Sequence, residues 1–153
     1  MKKLFLFVAV MMAAVAFSSC SKDEDENPSI IGTWQITHSE GTEFDNSGKP
    51  HYQWSEDYPV FDEHENGFCW SYTFNNDGTC VNKTYEIGIS DEDDDPKYYT
   101  YSISENKLIM QSQYGDQDIY EIKKLSSDQL ILFYHIQNDY YTTEGTETYK
   151  RIK

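Results

Sequence analysis

The chain has 153 residues, with 12 basic and 27 acidic side chains and a net charge of −15. Such a charge repels phosphate backbones, so it argues against nucleic acid as a partner. The length suits one folded domain with one hydrophobic core.

The first 20 residues predict export. Lys2 and Lys3 precede an apolar run over residues 4–17, and Ser18 and Ser19 follow it. This order of charge, apolar stretch and small residues is that of a secretory signal peptide. The 14 residues of the run are too few for a membrane-spanning helix, which needs ~20. Residues 1–19 are therefore expected to be cleaved.

The end of this leader, Phe17-Ser18-Ser19-Cys20, resembles the lipobox of bacterial lipoproteins. In that family the cysteine is acylated and becomes the new N-terminus. The resemblance implies lipidation at Cys20 and anchoring without a membrane span, since two acyl chains hold a protein stably to a bilayer. The alternative is an ordinary cleaved signal peptide with Cys20 nearby.

An acidic segment separates Cys20 from the rest of the chain. Residues 21–28 contain no apolar side chain, which predicts a disordered tether over residues 20–28. The segment resembles the lipoprotein export signal of Bacteroidota, which implies an outer-membrane location with display on the extracellular face. A plain solvated linker is the alternative reading. Residues 29–153 remain as the folded domain.

Apolar and polar residues alternate with a period of two through most of this domain, which predicts strands. Eight are expected, over residues 31–38, 68–74, 79–89, 97–104, 107–113, 118–125, 129–137 and 141–152. The fold class is therefore all-β. Eight antiparallel strands in up-and-down order close into a barrel, because closure removes exposed sheet edges. The interior of such a barrel holds side chains or one small ligand.

Residues 39–66 interrupt this pattern because they show no clear alternation. At ~28 residues the segment exceeds ordinary loop length, and long loops are often functional. We expect a loop that carries a short helical turn near Trp54, Tyr58, Val60 and Phe61, or that forms a lid.

The remaining cysteines, Cys69 and Cys80, flank the turn Asn75–Gly78. A two-residue Asp-Gly turn would place Cys80 opposite Asn75. Cys69 would then lie about 20 Å away at ~3.3 Å per residue, whereas a disulfide requires Cα atoms within ~7 Å. We expect two free thiols.

Several segments together resemble the lipocalin-like domains of Bacteroidota lipoproteins, a lipocalin/calycin-like fold. They are Ile31–Trp34, Tyr72–Phe74 with Asp77–Thr79, Tyr101–Leu108, Tyr120–Ser126 with Leu130–Leu132, and Thr148–Arg151. The resemblance implies a barrel floor in which Gly32 permits a tight entry, Trp34 is the plug and Arg151 stacks on it. That floor would be structural.

Aromatic residues are abundant, with 13 Tyr, 8 Phe and 3 Trp. The candidate ligand pocket consists of aromatic residues on the expected inward faces of neighbouring strands: Trp70, Tyr72, Tyr85, Tyr99 and Tyr101. The same rings could instead fill the barrel as an aromatic core.

Metal and catalytic motifs are weak. The acidic run Asp91–Asp95 lacks the glycine and the distal Glu of a calcium loop, so a solvated loop is favoured. His51 and His64 have no metal-ligand spacing, although nearby acidic residues leave an adventitious zinc site open. No nucleophile motif or phosphate-binding loop is present. We predict no cofactor, no metal and no enzymatic activity.

The sequence thus predicts a membrane-anchored, surface-exposed barrel that binds a small hydrophobic or glycan-like ligand. The alternative is a filled barrel that acts as an interaction or protease-inhibitor-like lipoprotein without such a ligand. No protein partner can be named from the residues.

Overall fold

The computed structural model describes residues 28–59, 68–86 and 96–152. These ranges contain nine strands joined by turns. None of the described residues belongs to a helix long and apolar enough to cross a membrane. In chain order the strands are β1 Gly32–Asp45, β2 Pro50–Asp57, β3 Phe68–Phe74, β4 Thr79–Glu86, β5 Lys97–Ser104, β6 Lys107–Ser112, β7 Gln117–Leu125, β8 Gln129–Gln137 and β9 Tyr141–Arg151.

Eight of the nine strands form a closed antiparallel barrel. The sheet order is β2-β1-β3-β4-β5-β6-β7-β8-β9, and a further pairing of β1 with β9 closes the ring. The predicted all-β, eight-stranded barrel is therefore confirmed. Residues 87–89 of the predicted third strand, and the leader and tether over residues 1–27, lie outside the described residues.

The expectation for residues 39–66 is wrong where the structure describes them. Residues 39–45 continue β1, and β2 returns antiparallel to it as a hairpin. Neither a helical turn nor a lid forms over residues 39–59. The extension is stable because its other edge pairs with β9 down to Asp45 and Tyr141. Residues 60–67 lie outside the described ranges.

Strand β1 shares one edge between two partners. Its first residues pair with β3, from Gly32 opposite Phe74 to Gln35 opposite Ser71. Further along, the same edge pairs with β2. A register shift on the β9 side, between Ile36 and His38, changes which side chains face inward. Strand β2 thus follows β3 along the same edge of β1, and it extends the sheet beyond the closed ring of eight strands.

The core fills the half of the barrel near the start of β1. Its large, fully buried side chains come from β1, β3, β6, β8 and β9: Trp34, Ile36, Phe74, Leu108, Met110, Leu130, Leu132 and Tyr149. Ring contacts connect the aromatic residues, with Phe74 and Tyr101 centroids 5.0 Å apart and Tyr72 and Tyr149 centroids 5.8 Å apart. These buried side chains form the single hydrophobic core of the described residues.

Cys69 and Cys80 are buried and free, as predicted. The turn geometry differs in one detail: Cys80 pairs with Phe74 and not with Asn75. The Asn75 amide donates a hydrogen bond to the Thr79 carbonyl, and Gly78 adopts a positive φ of 82°. The turn is therefore longer than two residues, which moves the register by one.

Candidate functional site

The barrel floor brings together the three residues predicted for it. Trp34 is completely buried, and its Nε1 donates a 2.7 Å hydrogen bond to the Ile30 carbonyl. Gly32, which precedes it in β1, has a φ of 132°, a conformation that other residues rarely adopt. The guanidinium carbon of Arg151 lies 4.1 Å from the Trp34 ring centroid, within cation–π range.

Arg151 also ties the chain ends together. Its Nε donates to the Ser127 carbonyl at 2.6 Å, and its two terminal nitrogens donate to the Ile31 and Ser29 carbonyls at 2.5 Å each. Burial lowers the pKa of the Arg151 guanidinium, yet arginine stays charged in proteins. The floor therefore consists of the buried Trp34 ring, the Arg151 guanidinium stacked on it, and their hydrogen bonds to the backbone.

Of the five predicted pocket residues, three belong to the filled core. Tyr72 contacts Tyr99 at a ring-centroid distance of 6.5 Å, and Tyr101 donates a 2.7 Å hydrogen bond to the Asn75 carbonyl. Tyr72 is part of the buried core, and Tyr99 and Tyr101 pack against it.

The other two predicted residues lie elsewhere. Tyr85 pairs with Cys69 and accepts a hydrogen bond from the Ser71 hydroxyl at 3.3 Å, on the outer face of the wall. Trp70 faces inward beneath Tyr58, with ring centroids 5.0 Å apart. The structure thus separates Tyr85 from the remaining four.

An open cup of about 650 Å³ lies at the end of the barrel opposite Trp34. Strands β1, β7, β8 and β9 form its wall. The cup is lined by Glu43, Gln117, Asp118, Ile119, Tyr120, Tyr134, His135, Ile136, Tyr141, Thr143 and Glu147. The barrel is therefore filled at one end and open at the other, a shape that can hold one small molecule.

Comparison with known proteins identifies the fold family. The family model for the lipocalin-like domain matches residues 30–132. The chain belongs to the lipocalin-like domain family. No match was found among curated proteins or among solved structures. In this lipocalin-like domain the matched range ends in β8, so β9, which closes the barrel and carries Arg151 and Glu147, lies beyond it.

The base of the cup is a chain of hydrogen bonds. Trp70 Nε1 donates to Tyr149 Oη at 3.1 Å, and Tyr149 Oη donates to Glu147 Oε2 at 2.6 Å. Since Tyr149 is fully buried, its phenol can orient the Glu147 carboxylate from below. Trp70 was predicted to line the pocket. It instead supports the cup indirectly, through its hydrogen bond to Tyr149.

Electrostatics in this lipocalin-like cup disfavour charge on its acids. Burial raises the pKa of Glu147, the charge of Asp118 raises it further, and the Tyr149 hydrogen bond partly offsets both. Burial, with the charge of Asp116, likewise raises the pKa of Asp118. Burial beside Glu147 raises the pKa of Tyr134 to about 12, so this phenol remains a hydrogen-bond donor at neutral pH.

Two glycines make room for large aromatic rings at and beside the cup, where Tyr134 lines the cup and Trp54 lies next to it. Gly41 and Gly145 face each other across β1 and β9. A Cβ at Gly41 would collide with the Trp54 ring, and one at Gly145 would collide with the Tyr134 ring. Both rings therefore lie flat on glycine backbone, and Trp54 Nε1 is held by a 2.9 Å hydrogen bond to Ser39 Oγ.

The candidate metal positions give no site in the part of the chain that the structure describes. No group of three His, Cys, Asp or Glu side chains there is arranged to hold a metal ion. His51 is described, whereas His64 and the acidic run Asp91–Asp95 lie outside the described residues.

Sequence reasoning missed most of the cup. Tyr120 and Tyr134 alternate in phase with buried Ile122 and Leu132, so the period of two already places them inward. That signal was available for these two tyrosines. No comparable signal pointed to Glu147, because an acidic residue in an acidic chain is expected at the surface.

Replacing Glu147 tests the charge cost directly. The folded-state pKa of Glu147 lies above its unfolded value of about 4.5, so the folded state binds the extra proton just above that pH. Ionisation then costs stability as the pH rises. We expect Glu147→Gln to raise the free energy of unfolding at pH 7 and to lose this advantage near pH 4. Urea denaturation across this range measures it.

The control is Asp139→Asn, an exposed acid in the β8–β9 turn. Asp139→Asn also removes one negative charge, but it does so at an exposed position where ionisation carries no burial cost. A Glu147→Gln effect that equals that of Asp139→Asn at every pH would contradict the assignment.

Proposed function

We propose that this protein is a binding protein of the bacterial cell envelope that holds one small organic molecule in the cup. The single observation that carries the proposal is the open cup of about 650 Å³ above a sealed floor. Ligand pockets in proteins span roughly 300–1,000 Å³ and combine apolar walls with a few polar groups. The cup has this size and this lining.

Membership of the lipocalin-like domain family supports the same proposal, because barrels of this size hold one small ligand. A completely filled barrel, the alternative from the sequence, is disfavoured by the volume of the cup. No nucleophile and base pair lines the cup among the described residues, so we propose binding without catalysis.

Native mass spectrometry tests the binding proposal. We expect protein purified gently from the cells that make it to carry the added mass of one small molecule. Thr143 faces the cup between Glu43 and Ile136. Thr143→Trp should fill the cup and remove that mass.

The matched control is Thr142→Trp, one residue earlier on the opposite face of β9 and opposite Phe44 and Gln137. It adds the same indole outside the cup, and the extra mass should remain. A wild-type protein without any added mass, or a Thr143→Trp variant that keeps it, would refute the proposal.

We further propose that the cup is displayed from a membrane. Residues 1–19 would be removed, Cys20 would carry acyl chains, and residues 20–28 would tether the domain 29–153 to the outer face of the outer membrane. The support is the signal-like leader and the lipobox-like Phe17–Cys20.

Replacing the cysteine tests this anchor. We expect Cys20→Ala to move the protein from the membrane fraction to the soluble fraction, since no acyl chain can then be attached. Ser21→Ala, which leaves Cys20 in place, should stay in the membrane fraction. Unchanged fractionation of Cys20→Ala would exclude lipidation at this residue, and protease shaving of intact cells reports on surface display.

A further inference from the structure

The cup is acidic as well as aromatic. Glu43, Asp118 and Glu147 project into it from three different strands, β1, β7 and β9. No lysine or arginine borders the cup in the described ranges. A pocket for a fatty or otherwise neutral ligand has no need of three carboxylates, and the burial of Glu147 costs free energy of desolvation.

These carboxylates have no cationic partner among the described residues. The ion pairs found there involve His38, Lys123 and His135, and none reaches the cup acids. Glu147 is held instead by the Tyr149 phenol, a neutral donor that orients the carboxylate without compensating its charge. A structural role in a salt bridge therefore does not account for the acids.

Aromatic rings stand beside the same acids. Tyr120 and Tyr134 meet edge to face at 6.3 Å, and both line the cup together with Tyr141. Tyr134 is kept flat against the wall by Gly145, so a ring is presented broadside on the cup surface. Ring faces attract cations, and tyrosine phenols accept hydrogen bonds from ammonium groups.

We infer that the ligand is an organic cation, a flat apolar body bearing an amine or quaternary ammonium group. This inference rests on the proposed function and names the chemical class of its ligand. The carboxylates of Asp118 and Glu147 would neutralise the positive charge, and the Tyr120 and Tyr134 rings would cover the apolar body. A metal ion fits less well, because the described residues hold no compact cluster of ligands for one.

Three indole probes that differ in charge test the inference. At neutral pH tryptamine is a cation, tryptophol is neutral and indole-3-acetate is an anion. We expect calorimetric titration of the full chain to show tryptamine binding at least tenfold more tightly than tryptophol, with indole-3-acetate weakest. The tryptamine affinity should fall as salt rises, since the net charge of −15 favours cations at low ionic strength.

Variants show where the charge preference arises. Asp118→Asn and Glu147→Gln should each weaken tryptamine severalfold and leave tryptophol unchanged. Glu144→Gln is the control, because Glu144 faces His135 on the outside of β9. It removes one negative charge from the same strand, and it should leave the preference for tryptamine over tryptophol intact.

Several results would overturn the inference. They are equal or tighter binding of tryptophol, a tryptamine preference that survives in the Asp118→Asn/Glu147→Gln double variant, and no binding of any probe at millimolar concentration. A neutral or anionic molecule recovered from the native protein would also overturn it, while leaving the proposed function standing. Absence of any retained molecule would instead count against the proposed function.

Discussion

We expect Trp34→Ala to lower the free energy of unfolding by about 3–5 kcal/mol, the cost typical of removing a large buried aromatic side chain. Trp34 is fully buried, its indole holds the Ile30 carbonyl, and Arg151 stacks on its ring. Small domains are stable by only about 5–15 kcal/mol, so the loss would leave little margin. Urea denaturation followed by circular dichroism measures it.

Two further variants separate the floor from a general effect of truncation. Tyr114→Ala removes a ring that is 82 % exposed and should change stability by less than about 0.5 kcal/mol. Arg151→Lys keeps the charge but loses the fork that bonds Ser29, Ile31 and Ser127. Arg151→Lys should fold, and its loss of unfolding free energy should lie between those of Tyr114→Ala and Trp34→Ala. A Trp34→Ala loss no larger than that of Tyr114→Ala would contradict the plug.

Alanine at the paired glycines should be costly for two different reasons. The three atoms nearest to a Cβ at Gly145 all belong to the Tyr134 side chain. A Cβ at Gly41 meets the Trp54 ring and also the backbone oxygen of Glu144, at 2.5 Å. We expect each substitution to cost about 1–3 kcal/mol through overpacking, with Gly41→Ala the larger. Gly145→Ala should also push the Tyr134 ring into the cup and weaken ligand binding.

Double variants distinguish the two mechanisms. Tyr134→Leu should rescue Gly145→Ala, because the three atoms nearest to the new Cβ belong to the ring that is removed. Trp54→Leu should rescue Gly41→Ala only in part, because a backbone oxygen cannot be truncated. Double-mutant cycles on unfolding free energies give the coupling in each pair. Equal rescue at both glycines would show that the strands move apart easily at this point.

Most of the barrel was predictable because single faces of its strands carry the apolar residues. Leu108 and Met110 in β6, and Leu130 and Leu132 in β8, alternate in the way a one-sided strand requires. The second half of β1 escaped detection because its inward positions are Ser39, Gly41 and Glu43. None of these three residues has a large apolar side chain, so the sequence shows no hydrophobic alternation there.

The phase of β4 shows a second limit. Tyr85 was predicted to face inward, yet on this strand Cys80 and Asn82 point inward, opposite Phe74 and Tyr72. The interior at this level is already occupied by large rings from β3 and β5, so only small side chains fit from β4. The space left by neighbouring strands decides which face of β4 turns inward. The sequence of β4 alone does not show how much space is left.

Strand β2 gives the molecule an open flank. Among the described residues it pairs with β1 alone, so its other side offers unsatisfied amide and carbonyl groups to any passing extended chain. Strand β2 begins at Pro50 and ends with the acidic residues Glu56 and Asp57. A strand added along this flank would have to desolvate those carboxylates, which disfavours association of two molecules through this edge.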